Sequence, residues 1–214
     1  RVIENGNVRT LAGGQKGFGD GIGDAVRFDT PAGIGNWGDK LVVADTGNGR
    51  IRVIEPDGRV WTLAGTGSGD LKDGSLLSAV FFQPTGVAVD KFGTIYVSDG
   101  NAVRKIGGGT LALVSTVTSE QRGLKDGIKS RAKFNRPSGV AVDSNGSLII
   151  ADSENRVVRK ISPTSTGHEI TAEEVNALRD KPEEFRAAAP ARWPYDPPTA
   201  KRDIAGTLGE VRGE

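Results

Sequence analysis

The sequence repeats itself with a period of 53 residues. Each copy begins with an Asp-Gly pair, has a Phe eight residues after the Asp, then a Pro three residues later and a Gly two residues after the Pro. These recurring residues are Asp20, Phe28, Pro31 and Gly33; Asp73, Phe81, Pro84 and Gly86; and Asp126, Phe134, Pro137 and Gly139. A fixed period of this length is typical of proteins that stack one supersecondary unit several times.

Each copy contains short runs of β-branched and other apolar residues, separated by turn-forming Gly, Asp, Asn and Pro. The second run ends in Asp and the third carries Arg, and these residues are Asp45 and Arg52, Asp99 and Arg104, and Asp152 and Arg159. Four such runs in a repeat predict the four strands of a β-propeller blade. A parallel β-helix is the alternative, but its rungs are shorter and lack antiparallel turns.

The repeats resemble the NHL repeat family over residues 1–162. The resemblance rests on three segments: 84–90 (PTGVAVD), 95–99 (IYVSD) and 155–161 (NRVVRKI). It implies a β-propeller of six blades. The second copy departs from the pattern, because Asp99 and Arg104 are five positions apart where the other copies have seven. A shorter turn is therefore expected there.

We accordingly expect an all-β fold, a partial β-propeller of three four-stranded blades plus half a blade from a six-bladed ring. The half blade covers about residues 1–13, and the blades cover about 31–65, 84–116 and 137–161. The chain has no Met and begins without a signal peptide, which indicates a fragment of a longer protein.

A change of composition after Ile161 predicts a different organisation for the rest of the chain. The C-terminal tail is expected to be short, helical and Pro-rich, and within it residues 163–191 are expected to form a helical linker with a short helix over 172–180. Residues 192–214 are expected to begin a truncated second domain. Its Trp193-Pro194 pair and its 206–212 stretch (GTLGEVR) resemble the entry to lysostaphin-like zinc metallopeptidases that cut peptidoglycan. This resemblance implies a bacterial, secreted protein of the cell envelope, in the periplasm or outside the cell, with zinc only in a downstream domain.

The composition excludes several kinds of site. The absence of Cys removes disulfides, thiolate nucleophiles and Cys-based zinc sites, and the single His168 removes any site that needs two histidines. A net charge of +1 gives no overall field that would attract nucleic acid or an anionic membrane. No apolar run is long enough to span a bilayer. We expect no cofactor and no nucleic-acid partner for this chain.

The recurring charged residues are interpreted as structural. Asp45, Asp99 and Asp152 are expected to cap the turns that follow them and to pair with Arg50 or Arg156. The Asp of each Asp-Gly pair is interpreted as a turn residue, with calcium binding as the alternative. The arginines of the third run are expected on a solvated outer face. The predicted repeat anchors are Asp20, Asp73, Asp126, Pro31, Pro84, Pro137, Gly33, Gly86, Gly139, Asp45, Asp99, Asp152, Arg52, Arg104 and Arg159.

These observations favour a non-catalytic binding scaffold whose loops hold a protein, a peptide or a glycan. The first alternative is the N-terminal module of a cell-envelope zinc metallopeptidase whose catalytic part lies outside this chain. The second is a propeller hydrolase or lyase. The expected mouth of the central channel carries Ala32, Thr85 and Ser138, which are small and unlike metal ligands. We therefore predict no catalytic, cofactor-binding or metal-binding residue in this chain.

Overall fold

The computed structural model describes residues 1–67, 69–107 and 112–163. The strands are β1 (Val2–Glu4), β2 (Asn7–Arg9), β3 (Gln15–Lys16), β4 (Gly21–Ile22), β5 (Arg27–Phe28), β6 (Pro31–Trp37), β7 (Lys40–Asp45), β8 (Arg50–Ile54), β9 (Arg59–Ala64), β10 (Gly74–Ser75), β11 (Pro84–Val89), β12 (Ile95–Asp99), β13 (Ala102–Ile106), β14 (Leu113–Thr116), β15 (Pro137–Val142), β16 (Leu148–Asp152) and β17 (Val157–Ile161). The helices of this part are single 3₁₀ turns at Gly23–Ala25, Thr46–Asn48, Lys129–Arg131 and Ser153–Asn155.

The strands form three antiparallel blades. The strand orders are β4-β9-β8-β7-β6, β10-β14-β13-β12-β11 and β15-β16-β17. The predicted all-β fold of propeller blades is confirmed. The first two blades have a fifth strand that the sequence pattern did not predict, because β4 and β10 come from the segment before the blade and pair with its outermost strand. The third blade has three strands within the described residues.

The recurring Gly residues lie where the inner strands of successive blades meet. A Cβ on Gly86 would lie 2.7 Å from the carbonyl oxygen of Ser138 in the next blade, and one on Gly33 would collide with the carbonyl oxygen of Thr85. Only a residue without a side chain lets the two backbones approach so closely. Among the described residues, Gly139 of the third blade has no such neighbour, and the nearest contact of an added Cβ would be Ala151 in the same blade, at 3.6 Å.

The hydrophobic core lies between the blades. One buried cluster joins the first two blades and includes Val42, Ile51, Phe81 and Val97. A second cluster joins the second and third blades and includes Val103, Phe134 and Ile150. In a third cluster Leu11 and Ala12 pack against Val26, Val43 and Val60 of the first blade. Each blade is therefore held by its neighbours, as expected for a radial repeat.

The N-terminal strands β1 and β2 form a separate antiparallel hairpin. In the repeat they correspond to the third and fourth strands of a preceding blade, which is the half blade predicted over about residues 1–13. The predicted linker at 163–191 and the predicted second domain at 192–214 lie outside the described residues. In the described part of the chain, no helix is long and apolar enough to cross a membrane.

Candidate functional site

One arginine of each blade is buried. Arg52 on β8 and Arg104 on β13 are fully buried, and the Arg159 side chain on β17 is 9% exposed. The expectation that these residues lie on a solvated outer face was wrong. The third strand lies inside the sheet, and the segment before the blade covers the face that carries the arginine, as the contacts of Arg52 with Gly19 and Arg27 show.

Each buried arginine binds two aspartates, one from the end of the second strand and one from the Asp-Gly pair. The N···O distances are 2.7 Å (Arg52–Asp45), 2.6 Å (Arg52–Asp20), 3.2 Å (Arg104–Asp99), 2.9 Å (Arg104–Asp73), 3.2 Å (Arg159–Asp152) and 2.6 Å (Arg159–Asp126). The nine charged repeat anchors therefore meet as three triads. The predicted pairing of these aspartates with Arg50 or Arg156 was wrong: among the described residues neither arginine forms an ion pair with them, and Arg50 donates instead to the carbonyl oxygens of Asn48 and Thr66.

The same guanidinium groups also hold the backbone of the segment that precedes each blade. Arg52 donates to the carbonyl oxygens of Gly19 and Arg27, at 2.8 and 3.2 Å. The equivalent acceptors, 53 residues apart, are Lys72 and Val80 for Arg104, and Lys125 and Lys133 for Arg159. The recurring Phe ring packs on each guanidinium, at 5.0 Å (Phe28), 5.2 Å (Phe81) and 4.1 Å (Phe134). The triad thus fastens the segment onto its blade.

The aspartates that end the second strands were expected to cap the turns that follow them, but Asp45 and Asp152 make no capping hydrogen bond to the backbone of those turns. The Oδ1 atoms of all three aspartates accept backbone N–H groups of the segment leading into the inner strand, from Asp29 (2.8 Å), Gln83 (2.7 Å) and Asn135 (2.8 Å). The sequence identified these aspartates as anchors but assigned the wrong donor. Being buried and paired, they fix the backbone and are not available to a substrate.

The second blade lacks one hydrogen bond that the other blades have. Asn48 Nδ2 donates to Asp45, and Asn155 Nδ2 donates to Asp152, both at 2.8 Å. The turn after Asp99 is shorter, as the sequence predicted, and its Asn101 instead accepts the Arg136 N–H group through Oδ1, at 3.2 Å. Burial raises the pKa of Asp99 to about 6, against the opposing effects of the Gln83 N–H group and the Arg104 charge.

Small hydroxyl residues link the blades near the predicted channel mouth. Thr85 Oγ1 donates to the carbonyl oxygen of Pro137 at 3.1 Å, and Thr46 Oγ1 donates to that of Pro84 at 2.6 Å. Within the third blade, Ser138 Oγ and Ser153 Oγ are hydrogen-bonded at 2.5 Å. Among the described residues, no group of three or more His, Cys, Asp or Glu side chains could hold a metal ion.

The triads fasten one equivalent segment to each of the three blades. These segments comprise residues 13–30, 66–83 and 119–136, and we call them the inserts and their outer surface the insert face. Each ends directly before the first residue of an inner strand, and in the first two blades the insert also pairs with the outermost strand through β4 or β10. The exposed large apolar side chains of the insert face are Phe18, Ile22, Leu77, Phe82, Leu124 and Ile128.

A further recurring position on this face was not predicted from the sequence. Phe18, Leu71 and Leu124 each stand two residues before the Asp of the triad and are again 53 residues apart. Phe18 and Leu124 are exposed and Leu71 is half-buried. An apolar residue at a fixed repeat position is normally a core residue, so its exposure is visible only in the structure.

Comparison with known proteins agrees with these repeats. A family model described as "NHL repeat" matches residues 134–160. The chain is 34% identical over 111 residues to Protein SUPPRESSOR OF QUENCHING 1, chloroplastic, from Arabidopsis thaliana, and 33% identical over 113 residues to NHL repeat-containing protein 2 from Homo sapiens. These matches cover 46% of this chain but only 10% and 15% of the two relatives.

Solved structures show the same fold. A Bacteroides thetaiotaomicron protein of unknown function has a TM-score of 0.52 and 29% identity, over 56% of this chain and 32% of its own. An auxiliary nutrient binding protein from the same organism has a TM-score of 0.52 at 21% identity, over 58% of this chain and 35% of its own, and that similarity concerns the fold alone. The blades and triads recur with the repeat that the family model matches. The chain therefore contains a segment of the NHL repeat family.

Proposed function

We propose that this chain is a binding scaffold whose insert face holds a protein or peptide partner. The observation that carries the proposal is the row of exposed apolar side chains on the inserts, with Phe18 and Leu124 at equivalent repeat positions. Apolar groups that recur on one face of a soluble repeat protein are typical of an interaction surface. The NHL repeat propeller fold supports a protein-binding scaffold.

The rigidity of the inserts supports this proposal. Each insert is hydrogen-bonded to a buried arginine at two carbonyl oxygens and at one carboxylate, so that its outer side chains are held in place. Loops fastened to a rigid framework lose little conformational entropy when they bind. A surface of this kind is suited to recognition, and the buried, paired aspartates beneath it serve the framework.

A peptide selection tests the proposal. Peptides from a phage-displayed random library are selected on the immobilised chain and then measured on two matched double variants. We expect Phe18→Ser/Leu124→Ser, on the insert face, to weaken binding about tenfold or more, because two contacts of large apolar groups are lost. Ile3→Ser/Phe92→Ser removes two exposed large apolar side chains outside the inserts and is expected to change binding less than about twofold.

Two results would contradict the proposal: no peptide is enriched, or the enriched peptides bind both variants equally well. Enrichment of peptides whose binding only Ile3→Ser/Phe92→Ser weakens would place the binding surface elsewhere. The periplasmic or extracellular location, the peptidase module and a propeller hydrolase or lyase activity stay predictions from the sequence.

A further inference from the structure

The three inserts have the same framework but very different charges. The first, residues 13–30, has two cations and three carboxylates, and the second, residues 66–83, has one cation and two carboxylates, so each has a net charge of −1. The third, residues 119–136, has six cations and two carboxylates, a net charge of +4. Its cations are Arg122, Lys125, Lys129, Arg131, Lys133 and Arg136. The small net charge of the whole chain conceals this local excess.

The positive charges of the third insert are not neutralised within the described structure. None of the six cations forms an ion pair with a described carboxylate, and all except the half-buried Lys133 are exposed. Asp126 is occupied by Arg159, at 2.6 Å. Like charges within one short loop repel each other, and an anionic group bound among them would remove that repulsion.

The loop that carries these charges is fixed in place. Lys125 and Lys133 exchange two backbone hydrogen bonds, at 3.0 and 3.3 Å, and Arg159 donates to the carbonyl oxygens of both. Ala132 and Phe134 are buried in the core between the second and third blades. The cations are therefore presented by an ordered backbone, which lowers the entropic cost of binding.

Two exposed aliphatic side chains lie between cationic residues in the sequence of the third insert. Leu124 is 61% exposed and Ile128 is 63% exposed. The insert has one aromatic residue, Phe134, and it is buried. Proteins that bind single-stranded nucleic acids combine a positively charged groove with exposed aromatic rings on which the bases stack, and this insert has the charge but no exposed ring. Aliphatic groups between cations instead complement a polypeptide that has both carboxylates and apolar side chains.

We propose that the third insert, residues 119–136, docks an acidic segment of a protein partner that also carries aliphatic side chains. This inference rests on the proposed function and narrows it to one insert and one partner chemistry. Carboxylates of the segment pair with Lys129, Arg131 and their neighbours, and its aliphatic side chains contact Leu124 and Ile128. The attraction acts at a distance and weakens with salt.

A defined peptide tests this inference. The probe is a fluorescent 12-residue peptide of Glu, Leu and Gly, measured by fluorescence polarisation beside the same peptide with Gln for Glu. We expect Lys129→Gln/Arg131→Gln to raise the Kd of the Glu peptide about tenfold at low salt. Lys91→Gln/Lys105→Gln removes two exposed cations outside the insert and is expected to change the Kd less than about twofold.

Several outcomes would overturn the inference. These outcomes are that the Glu peptide fails to bind, that the Gln peptide binds as tightly as the Glu peptide, or that the two double variants change the Kd by the same factor. Tighter binding of a 12-nucleotide oligouridine or of anionic phospholipid vesicles, lost in Lys129→Gln/Arg131→Gln, would assign the insert to nucleic acid or membrane. If selected library peptides need Phe18 and Leu124 but ignore Lys129 and Arg131, this inference fails and the proposed function stands.

Discussion

At the scale of single residues, one arginine in each blade organises the charged groups around it. A buried charge destabilises the folded state unless it is paired and hydrogen-bonded. The Arg104 guanidinium is paired with Asp99 and Asp73 and also donates to two carbonyl oxygens. The planar guanidinium suits this arrangement because its donors point in several fixed directions at once. The Nε atom of Arg104 has no partner, so the network is not fully satisfied.

The raised pKa of Asp99 predicts a pH dependence of stability. The folded chain keeps the Asp99 proton up to about pH 6, whereas the unfolded chain loses it near pH 4. Between these values the folded state binds more protons, so the free energy of unfolding falls as pH rises, by on the order of 2 kcal/mol from this group. Urea unfolding between about pH 4.5 and 7 measures the slope, and Asp99→Asn is expected to flatten it.

The control for this prediction is Asp57→Asn. Asp57 is exposed, and hydrogen bonds to Arg59 lower its pKa, so it does not titrate in that range. An unchanged slope in Asp99→Asn would mean that another group takes up the proton.

At the scale of elements, the spacing of the blades depends on the inner strands. Strands β6, β11 and β15 each begin with Pro-x-Gly, and Gly33 and Gly86 bring the backbone of one inner strand against that of the next. Interblade hydrogen bonds from Thr46 and Thr85 lie beside these contacts. A side chain at the Gly position would push two blades apart and open the core between them.

We expect Gly86→Ala to destabilise the chain by about 2 kcal/mol, because its Cβ would lie inside the contact distance of Ser138. Gly139→Ala is the matched control, since the same repeat position there has only Ala151 nearby, at 3.6 Å. Its expected effect is within about 0.5 kcal/mol. Chemical denaturation of the two variants compares them directly, and equal losses of stability would contradict the stacking account.

At the scale of the whole described molecule, equivalent residues have different surroundings. Ile51, Val103 and Val158 occupy the same position on the third strand of successive blades. Ile51 and Val103 are completely buried against the following blade, whereas Val158 is 73% exposed. The repeat therefore specifies an apolar residue, and the neighbouring blade determines whether that residue is buried.

This difference predicts opposite outcomes for one substitution. Val103→Lys places a charge in the core between two blades and is expected to lower the free energy of unfolding by about 3 kcal/mol or more. Val158→Lys is expected to change it by less than about 0.5 kcal/mol, because the new ammonium group remains in water. Thermal or urea unfolding checks both, and a large loss in Val158→Lys would show that the face is covered in solution.

Much of the fold could be predicted because the repeat is local. Each strand and turn is encoded within a few residues, so the three blades and the shorter turn after Asp99 follow from spacing alone. The added strands β4 and β10 could not be predicted, since each is two residues long and exists only through pairing with a distant strand. The exposure of Leu124 was missed because an apolar repeat position normally indicates a core residue.

By itself the sequence determined the period, the strand type and the anchors Asp20, Asp45 and Arg52. Only the tertiary structure decided that these three charges meet, because they come from an insert and two strands and are brought together by folding. It also decided which equivalent residues are covered, as Val103 and Val158 show. Burial depends on neighbours that are distant in the sequence, and a local pattern holds no information about them.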